Sequence, residues 1–326
     1  MSMLRSAFRK HEPSAQVRAF VRKDVMRQLV GGSHRIGRHV FGSTKIAYAS
    51  PEFMLIKFWG VRGSTPTPQT ENMRYGGNTS CVEVRLGDSI YVFDCGTGFR
   101  VLGHELQKEF GDKPFMAHVF VSHFHWDHIQ GMPFFRPFYD NSNAQFCFHS
   151  SGRTRSLEVV MAEQMASPYF PVNLAHLRAG RNFYDIGNGC LDMEDGIRIK
   201  TAYLNHPQGC LGFRVETKEG VMVYATDNEP GDANFDKAVR KLAEGADILI
   251  YDAQYLPEEY AARRRGWGHS HWREAVNVVM ESGAKELILY HHDPDHTDAI
   301  VDKVVQDARS YYPKVRAAAE GMEIRL

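Results

Sequence analysis

The sequence predicts a layered α/β domain whose helices lie outside its sheets. The prediction rests first on the order of the elements, because strands come early and strands and helices alternate in the last third of the chain. It rests also on composition, since 326 residues that are 43% hydrophobic and 24% charged can bury a sizeable core. One large domain or two small ones would fit these values.

The elements are predicted from apolar periodicity and from the turn residues between them. Strands are predicted at residues 53–59, 81–86, 89–94, 116–122, 197–204, 211–217, 221–227, 247–255 and 286–292. Helices are predicted at residues 99–110, within 154–166, and at 234–245, 271–282 and 297–311. Turn-forming stretches such as GSTPTP and GGN separate the early strands.

Residues 1–52 are predicted to be a basic N-terminal extension made of a helix and a linker, and residues 53–326 the main domain. Residues 14–30 place apolar side chains on one helical stripe, and residues 31–52 are rich in Gly and Ser. The first 50 residues hold ten Lys or Arg against two acidic residues, an excess of eight positive charges. A helix docked on the main domain is the first interpretation, and a basic surface for nucleic acid or a partner subunit is the second.

Overall charge and cysteine usage exclude several classes of protein. Lys+Arg and Asp+Glu both number 39, so the whole chain gives no electrostatic reason to expect a polyanionic partner. The five cysteines are scattered and never form a CxxC pair, which argues against a disulfide framework and against a thiolate zinc site. No apolar run reaches the roughly 18 residues of a membrane span. We therefore expect a cytoplasmic protein with no membrane partner.

The stretch VFVSHFHWDHIQG ends a predicted strand in a cluster of metal-binding residue types. In an extended chain, residues two apart project to the same side, so His123 and His125 can bind one ion. Asp127 and His128, one step further on, can reach a second ion. Imidazole and carboxylate groups suit zinc, manganese or iron, so we expect two divalent ions, zinc first and manganese or iron as alternatives.

Three more candidate ligands occupy the same kind of position, where an apolar strand breaks off. They are His206 in YLNHPQG, Asp227 in VYATDNEP and His291 in LILYHHDP. Ligand sites in α/β proteins gather at strand ends. Taken singly, His206 and Asp227 could be turn residues, and the His291/His292 doublet leaves open which imidazole points inward.

With these residues in view, the chain over residues 53–326 resembles the metallo-β-lactamase-fold hydrolase superfamily. The segments FWGVRGSTPTP, GGNTSC, LIYDAQY and GWGHSHW are similar to the branch that contains tRNase Z and the phosphonate-pathway cyclic phosphodiesterase. The resemblance implies a four-layer αββα sandwich, a homodimer and a two-metal site. It assigns His123, His125 and His206 to the first metal, Asp127, His128 and His291 to the second, and Asp227 to a bridging position. Asp94 in VFDCGTG would be structural.

The same resemblance implies which residues act beside the metals. Asp252 would orient His269, and these two with Asp127 are the predicted catalytic residues. The match departs from the branch in two places, because Asp252 stands where Glu is usual and His271 where Thr is usual. Asp227 also replaces the Cys of classical two-zinc lactamases, which gives a site of nitrogen and oxygen ligands. Without the resemblance, His269 would be interpreted as an exposed turn histidine.

The predicted function is that of a phosphodiesterase that cleaves a nucleotide-like diester with a metal-bridging hydroxide. A cyclic nucleotide or cyclic phosphate is the first expected substrate, because no basic arm of the kind that holds tRNA is evident between residues 150 and 200; short RNA is the second. One alternative is a lactone, thioester or β-lactam hydrolase that uses the same metals. Another is an RNA-binding protein with structural metals. Nearby aromatic residues would form core or lid packing, with one or two free to stack on a base: Phe134, Phe135, Phe138, Tyr139, Tyr169 and Phe170.

Overall fold

A computed structural model of the chain describes residues 53–193 and 196–326. The predicted N-terminal helix and linker, residues 1–52, lie outside the described residues. Within the part that is described, no helix is both long enough and apolar enough to cross a membrane.

The described residues form two mixed sheets of seven strands each. The first contains β1 (Met54–Gly60), β2 (Cys81–Leu86), β3 (Ser89–Phe93), β4 (Met116–Val121), β5 (Gln145–Ser151), β6 (Gly180–Ile186) and β14 (Glu323–Arg325), in the order β14-β1-β2-β3-β4-β5-β6. The second contains β7 (Gly189–Asp192), β8 (Arg198–Leu204), β9 (Cys210–Glu216), β10 (Val221–Ala225), β11 (Ile248–Asp252), β12 (Glu286–Tyr290) and β13 (Val315–Ala317), in the order β13-β12-β11-β10-β9-β8-β7. Each sheet has a parallel half, made of β3 to β6 or of β10 to β13.

Helices connect the strands of each parallel half. They are α1 (Thr97–Phe110), α2 (Trp126–Ile129), α3 (Pro137–Asp140), α4 (Leu157–Gln164), α5 (Ala233–Ala243), α6 (Pro257–Glu259), α7 (Trp272–Ser282) and α8 (Asp298–Arg309). A π-helical turn, Tyr260–Arg264, follows α6 directly. Such turns are frequently found at functional sites in proteins.

Three buried clusters define four layers. Phe93, Phe120 and Phe213 lie between the two sheets, with ring centroids 5.5–5.6 Å apart. Leu102 of α1 is among the side chains buried on the outer face of the first sheet, and Val276 of α7 is among those on the outer face of the second. The predicted αββα sandwich is therefore confirmed.

The predicted strands are present within two or three residues of their expected ends, but five strands were not predicted. These are β5, β6, β7, β13 and β14. β6 and β7 are edge strands whose residues are largely exposed or half-buried, so they lack the apolar alternation of a strand with one face on the core. β13 and β14 have three residues each, too few for periodicity to register.

The topology brings six strand ends to one edge of the molecule. Neighbouring parallel strands end on the same side of a sheet, which places the ends of β3 and β4 together, and those of β10, β11 and β12 together. β8 is separated from β10 by two antiparallel steps through β9, so it also ends at this edge. Every residue predicted to bind metal follows one of these strands.

Candidate metal centre and active site

The loop after β4 carries the first four predicted ligands. Ser122 fixes its start, because the backbone N–H and hydroxyl of Ser122 donate to the two carboxylate oxygens of Asp94 at 2.7 and 2.8 Å. His123 and His125 lie on extended backbone beyond it, as the period-two argument predicts. Asp127 and His128 lie on α2 instead, so a helical turn rather than a continued extended chain aims them at the second group of ligands.

Three acidic or histidine residues at this edge adopt left-handed backbone conformations directly after a strand. Asp94, Asp227 and His291 have φ angles of 62°, 57° and 62°. This region is uncommon for residues other than glycine and costs roughly 1–3 kcal/mol at each position. The surrounding hydrogen bonds hold the chain there, and the turn directs each side chain away from the sheet and across the strand ends.

The structure brings all seven predicted ligands into one buried cluster with two centres. His123, His125 and His206 offer nitrogens within 4.8 Å of one another, and so do the ligand atoms of Asp127, His128 and His291. Asp227 lies between the two groups. Its Oδ1 is 3.7 Å from Nε2 of both His123 and His206, whereas its Oδ2 is 3.3 Å from Nε2 of His128 and 3.4 Å from Nε2 of His291.

Hydrogen bonds on the outer side of the imidazoles leave the inner nitrogens available. Nδ1 of His206 donates to the carbonyl of Gly268 at 2.7 Å, which fixes the tautomer in which Nε2 carries no proton; this Nε2 faces Nδ1 of His125 at 3.0 Å. Nδ1 of His128 is 2.8 Å from Asp94, and Nδ1 of His291 is 3.0 Å from Oε1 of Gln254. Metal-binding histidines are oriented in this way in known sites.

The donor set fits a divalent cation near the first three histidines. Nε2 of His123 is buried with no hydrogen-bond partner among the described residues, and a bound cation would satisfy it. Burial lowers the pKa of His123 and of His125, and it lowers the pKa of His206 to about 4. The three imidazoles are therefore neutral, as metal coordination requires.

The second group also favours a positive ion. Burial raises the pKa of Asp127, but His128 and His291 hold that pKa well below its ordinary value, so the carboxylate is ionised. Burial lowers the pKa of His128, yet Asp227, Asp127 and Asp94 raise it well above its ordinary value. Since three carboxylates demand positive charge at this place, a divalent ion is the natural occupant.

His291 and His292 point in different directions. Nε2 of His291 lies 3.2 Å from Asp127, inside the cluster. Nε2 of His292 faces the carbonyl of Ala318 at 2.9 Å, on the other side of the chain.

Asp252 and His269 form a buried pair beside both groups. Nδ1 of His269 is 2.9 Å from Oδ2 of Asp252. Burial lowers the pKa of His269, but the charge and hydrogen bond of Asp252 outweigh burial and raise this pKa to about 9. The His269 ring stacks on His291 with centroids 5.0 Å apart and meets His206 edge-on at 5.1 Å. His269 is thus no exposed turn residue. His271, where Thr was expected, caps α7 by accepting the N–H of Glu274 at 3.2 Å.

Residues 90–292 match the family model described as the beta-lactamase superfamily domain. The chain belongs to this superfamily. The resemblance inferred from the sequence motifs is confirmed, and the chain is a metal-dependent hydrolase.

Relatives of this superfamily member include proteins named as ribonucleases. Ribonuclease Z of Haloarcula marismortui is 26% identical over an alignment that covers 84% of this chain and 97% of that protein. Ribonuclease BN of Escherichia coli is 23% identical, with 70% of this chain and 87% of that protein covered.

Solved structures share the fold. YhfI, a metallo-beta-lactamase fold protein of Bacillus subtilis, superposes with a TM-score of 0.62 at 19% identity and covers 84% of this chain and 99% of its own. A diphosphatase of the PhnP family gives 0.60 at 16% identity, with coverages of 84% and 97%. The short form of human tRNase Z gives 0.54 at 19% identity, with coverages of 83% and 98%.

Several residues that support the site in this superfamily member were not predicted. Ser64 donates its backbone N–H to Asp127 at 2.7 Å, and Gln254 contacts both His291 and Ser64. Glu229 accepts the backbone N–H groups of Gly266 and Gly268 at 2.6 and 2.8 Å. One signal was present in the sequence, because Gln254 and Glu229 each lie two residues beyond a predicted functional Asp.

The aromatic residues after the metal loop divide as expected. Phe135 and Phe138 are buried and stack in the core. Tyr139 and Phe170 are partly buried, whereas Phe134 and Tyr169 are exposed.

Proposed function

We propose that this superfamily member is a phosphodiesterase that acts on a nucleotide-like phosphodiester. The Asp252–His269 pair carries the proposal, since a proton donor beside the metal groups serves a bond whose alkoxide leaving group must be protonated. Lactones and thioesters release their leaving groups more easily and need such a donor less. The names of the relatives, ribonuclease Z and ribonuclease BN, support the same class of bond.

The proposal includes two divalent ions, zinc first. His123, His125 and His206 would hold one, Asp127, His128 and His291 the other, and Asp227 would span both through its two oxygens. When bound, such ions supply an activated water and neutralise charge on the phosphoryl oxygens. The neutral imidazoles of the first group and the buried carboxylates beside the second support this assignment.

The roles of the chain's own groups follow from their hydrogen bonds. Asp252 accepts the Nδ1 proton of His269, which leaves Nε2–H of His269 to donate to the departing oxygen. Asp127 is held by the N–H of Ser64 and, beside its ligand role, would orient the attacking water. The ring contacts of His269 with His206 and His291 keep it over both metal groups.

The test combines metal analysis of purified protein with a panel of cyclic nucleotides, short RNA, linear diesters, lactones and thioesters. We expect two metals per chain and turnover of the diesters. His269→Ala should reduce cleavage of a diester with an alkoxide leaving group by about a hundredfold to ten-thousandfold, while a p-nitrophenyl ester loses much less. Fewer than two metals per chain, together with no diester turnover in added zinc or manganese, would exclude the proposal.

Other outcomes would identify the alternatives. Turnover of lactones or thioesters alone, insensitive to His269→Ala, would assign the other hydrolase class. RNA binding that is lost on deletion of residues 1–50, with no turnover by the full chain, would assign a binding protein with structural metals. The proposal also includes a homodimer, on the basis of the resemblance, and light scattering tests it. It includes a cytoplasmic location, on the basis of the scattered free cysteines.

A further inference from the structure

A cationic and aromatic segment borders the proposed acid. Residues 263–267 read RRRGW, and Gly268 and His269 follow at once. Arg263 and Arg265 are exposed, and the Trp267 side chain is 55% exposed. None of the three arginines in this segment has a carboxylate at ion-pair distance among the described residues. Glu259, a few residues earlier in the chain, pairs with His296.

The segment is joined to the site by a chain of contacts. The Arg264 guanidinium lies 4.5 Å from the centroid of Trp267 and 5.6 Å from that of Tyr255. Tyr255 in turn meets the His269 ring edge-on at 6.0 Å. Glu229, two residues beyond Asp227, binds the backbone on both sides of Trp267 through Gly266 and Gly268. The segment therefore has a fixed position relative to His269.

We propose that residues 263–267 form a binding site for single-stranded RNA next to the scissile phosphate. The inference rests on the proposed function and narrows its substrate class from any nucleotide-like diester to an RNA strand that continues past the cleaved bond. Uncompensated arginines attract a phosphate backbone and release its counterions. An exposed indole with one face covered by a guanidinium offers its other face to a base, which every nucleotide can use.

The chemistry favours a strand over a mononucleotide. A cyclic mononucleotide has one phosphate, which the metal groups already bind, and it leaves Arg263 and Arg265 without an anion. A strand places further phosphates beyond the cleaved one. Arg264 and Arg265 pack on aromatic rings, but none of the three successive arginines has an ion pair among the described residues. In a chain whose net charge is zero, this charge at the site's border fits a substrate with several negative charges.

The test compares two double variants that remove equal charge from the full-length, metal-loaded enzyme. Arg263→Gln with Arg265→Gln alters the segment and keeps Arg264, which packs on two rings. Lys113→Gln with Lys218→Gln is the matched control, since both lysines are exposed at the opposite edge, before β4 and between β9 and β10. Substrates are a fluorescein-labelled RNA oligonucleotide and a cyclic mononucleotide, and RNA binding is also measured by fluorescence anisotropy.

We expect the ratio of kcat/KM for the oligonucleotide to that for the mononucleotide to fall about tenfold or more in the arginine variant, mainly through KM. RNA affinity should fall with it. The slope of the logarithm of the binding constant against the logarithm of the salt concentration should become shallower by about 1.4, because two single-strand phosphate contacts are lost. Trp267→Leu should lower the ratio on the order of tenfold through lost stacking. The lysine control should change neither ratio nor affinity.

Other results would overturn the inference. An equal fall on both substrates would mean that the segment only positions His269, and an unchanged RNA affinity would mean that it does not touch RNA; the proposed function would stand in both cases. If the unaltered enzyme cleaved no diester, the proposed function would fail. The anisotropy measurement would still decide whether the arginines bind RNA.

Discussion

Asp227 donates its backbone N–H to Oδ2 of Asp252 at 3.0 Å. The same oxygen faces Nδ1 of His269 at 2.9 Å, while Oδ1 of Asp252 accepts the N–H groups of Gln254 and Ser270. The buried carboxylate of Asp252 thus holds both the backbone of Asp227, after β10, and the imidazole of His269 in place. Replacing it affects more than one group.

Asp252→Asn should lower kcat for an alkoxide-leaving diester by about a hundredfold to ten-thousandfold. The amide offers one acceptor where the carboxylate offers two, so His269 loses its orienting partner. Metal content is measured at the same time and should fall much less than kcat. Asp247→Asn, just before the start of β11 and at the opposite end of that strand from the site, is the control. Among the residues that the structure describes, the Asp247 carboxylate accepts from Val221 and Lys285. Unchanged kcat in Asp252→Asn would contradict the role.

Metal stoichiometry should separate the two ligand groups. His206→Ala removes a nitrogen of the first group only, so about one ion per chain should remain. Asp227→Ala removes the oxygens that face both groups and leaves His128 and His291 without their shared carboxylate. We expect it to retain almost no metal by elemental analysis. Loss of both ions in each variant would show that the groups bind as a single cooperative unit.

Two glycines of the same loop provide a matched pair. Gly266 and Gly268 have φ angles of 83° and 86°, so alanine is strained at either place by about 1 kcal/mol. Only at Gly268 would the new Cβ meet His206, at 2.4 Å from Nδ1, whereas nothing lies within 4 Å at Gly266. Gly268→Ala should therefore reduce turnover at least tenfold and weaken metal retention, and Gly266→Ala should do neither. Similar activity in the two variants would exclude the steric argument.

Asp94 should be a stability residue. It is buried and binds Ser122, His128 and the hydroxyl of Tyr224, each at 2.7–2.8 Å. Asp94→Ala leaves these groups without a partner in the interior, which costs about 3–5 kcal/mol. Thermal unfolding of the chelated protein measures this cost without a contribution from metal loss. A Tm close to that of the unaltered protein would contradict it.

Stability should decrease in acid because of a buried histidine that is not one of the candidate metal ligands. Burial, and then the neighbouring His118, lowers the pKa of His149 from 6.5 to about 3. The unfolded chain binds this proton first, so stability is complete above about pH 6.5 and falls as the pH drops toward 3, by at most about 1.4 kcal/mol per unit. In chelated protein, His149→Phe should flatten this slope and retain the ring packing on Phe120 and Tyr184. His104→Gln, at an exposed position of α1, is the matched histidine substitution for comparison.

The sequence predicted the centre of the fold and of the site well, because both depend on strong local patterns. Strands such as β4 and β10 are largely apolar, and predicted His or Asp ligands follow their ends. The topology brings these strand ends together. Seven ligand candidates spread over 169 positions, from His123 to His291, could therefore be assigned to one site from the sequence alone.

The unpredicted parts depend on contacts that have no local pattern. Gln254 and Glu229 act through partners in distant loops, and their place two residues beyond a functional Asp does not by itself show which partners they contact. The fully buried Arg62 is a further case, since its guanidinium donates to the carbonyls of Gly76, Asp293 and His296. An arginine in a turn sequence would ordinarily be placed at the surface.

The alignment of strand ends has a consequence for protein engineering. The candidate ligands lie beyond the strands, whereas the three buried clusters lie along and between them. A library of variants confined to the loops at residues 123–128, 205–209, 226–230 and 253–271 would therefore explore new chemistry over an unchanged scaffold. Asp94 and Asp252 lie outside these loops and should not be varied, because each binds the backbone of a loop residue and so attaches that loop to the sheet.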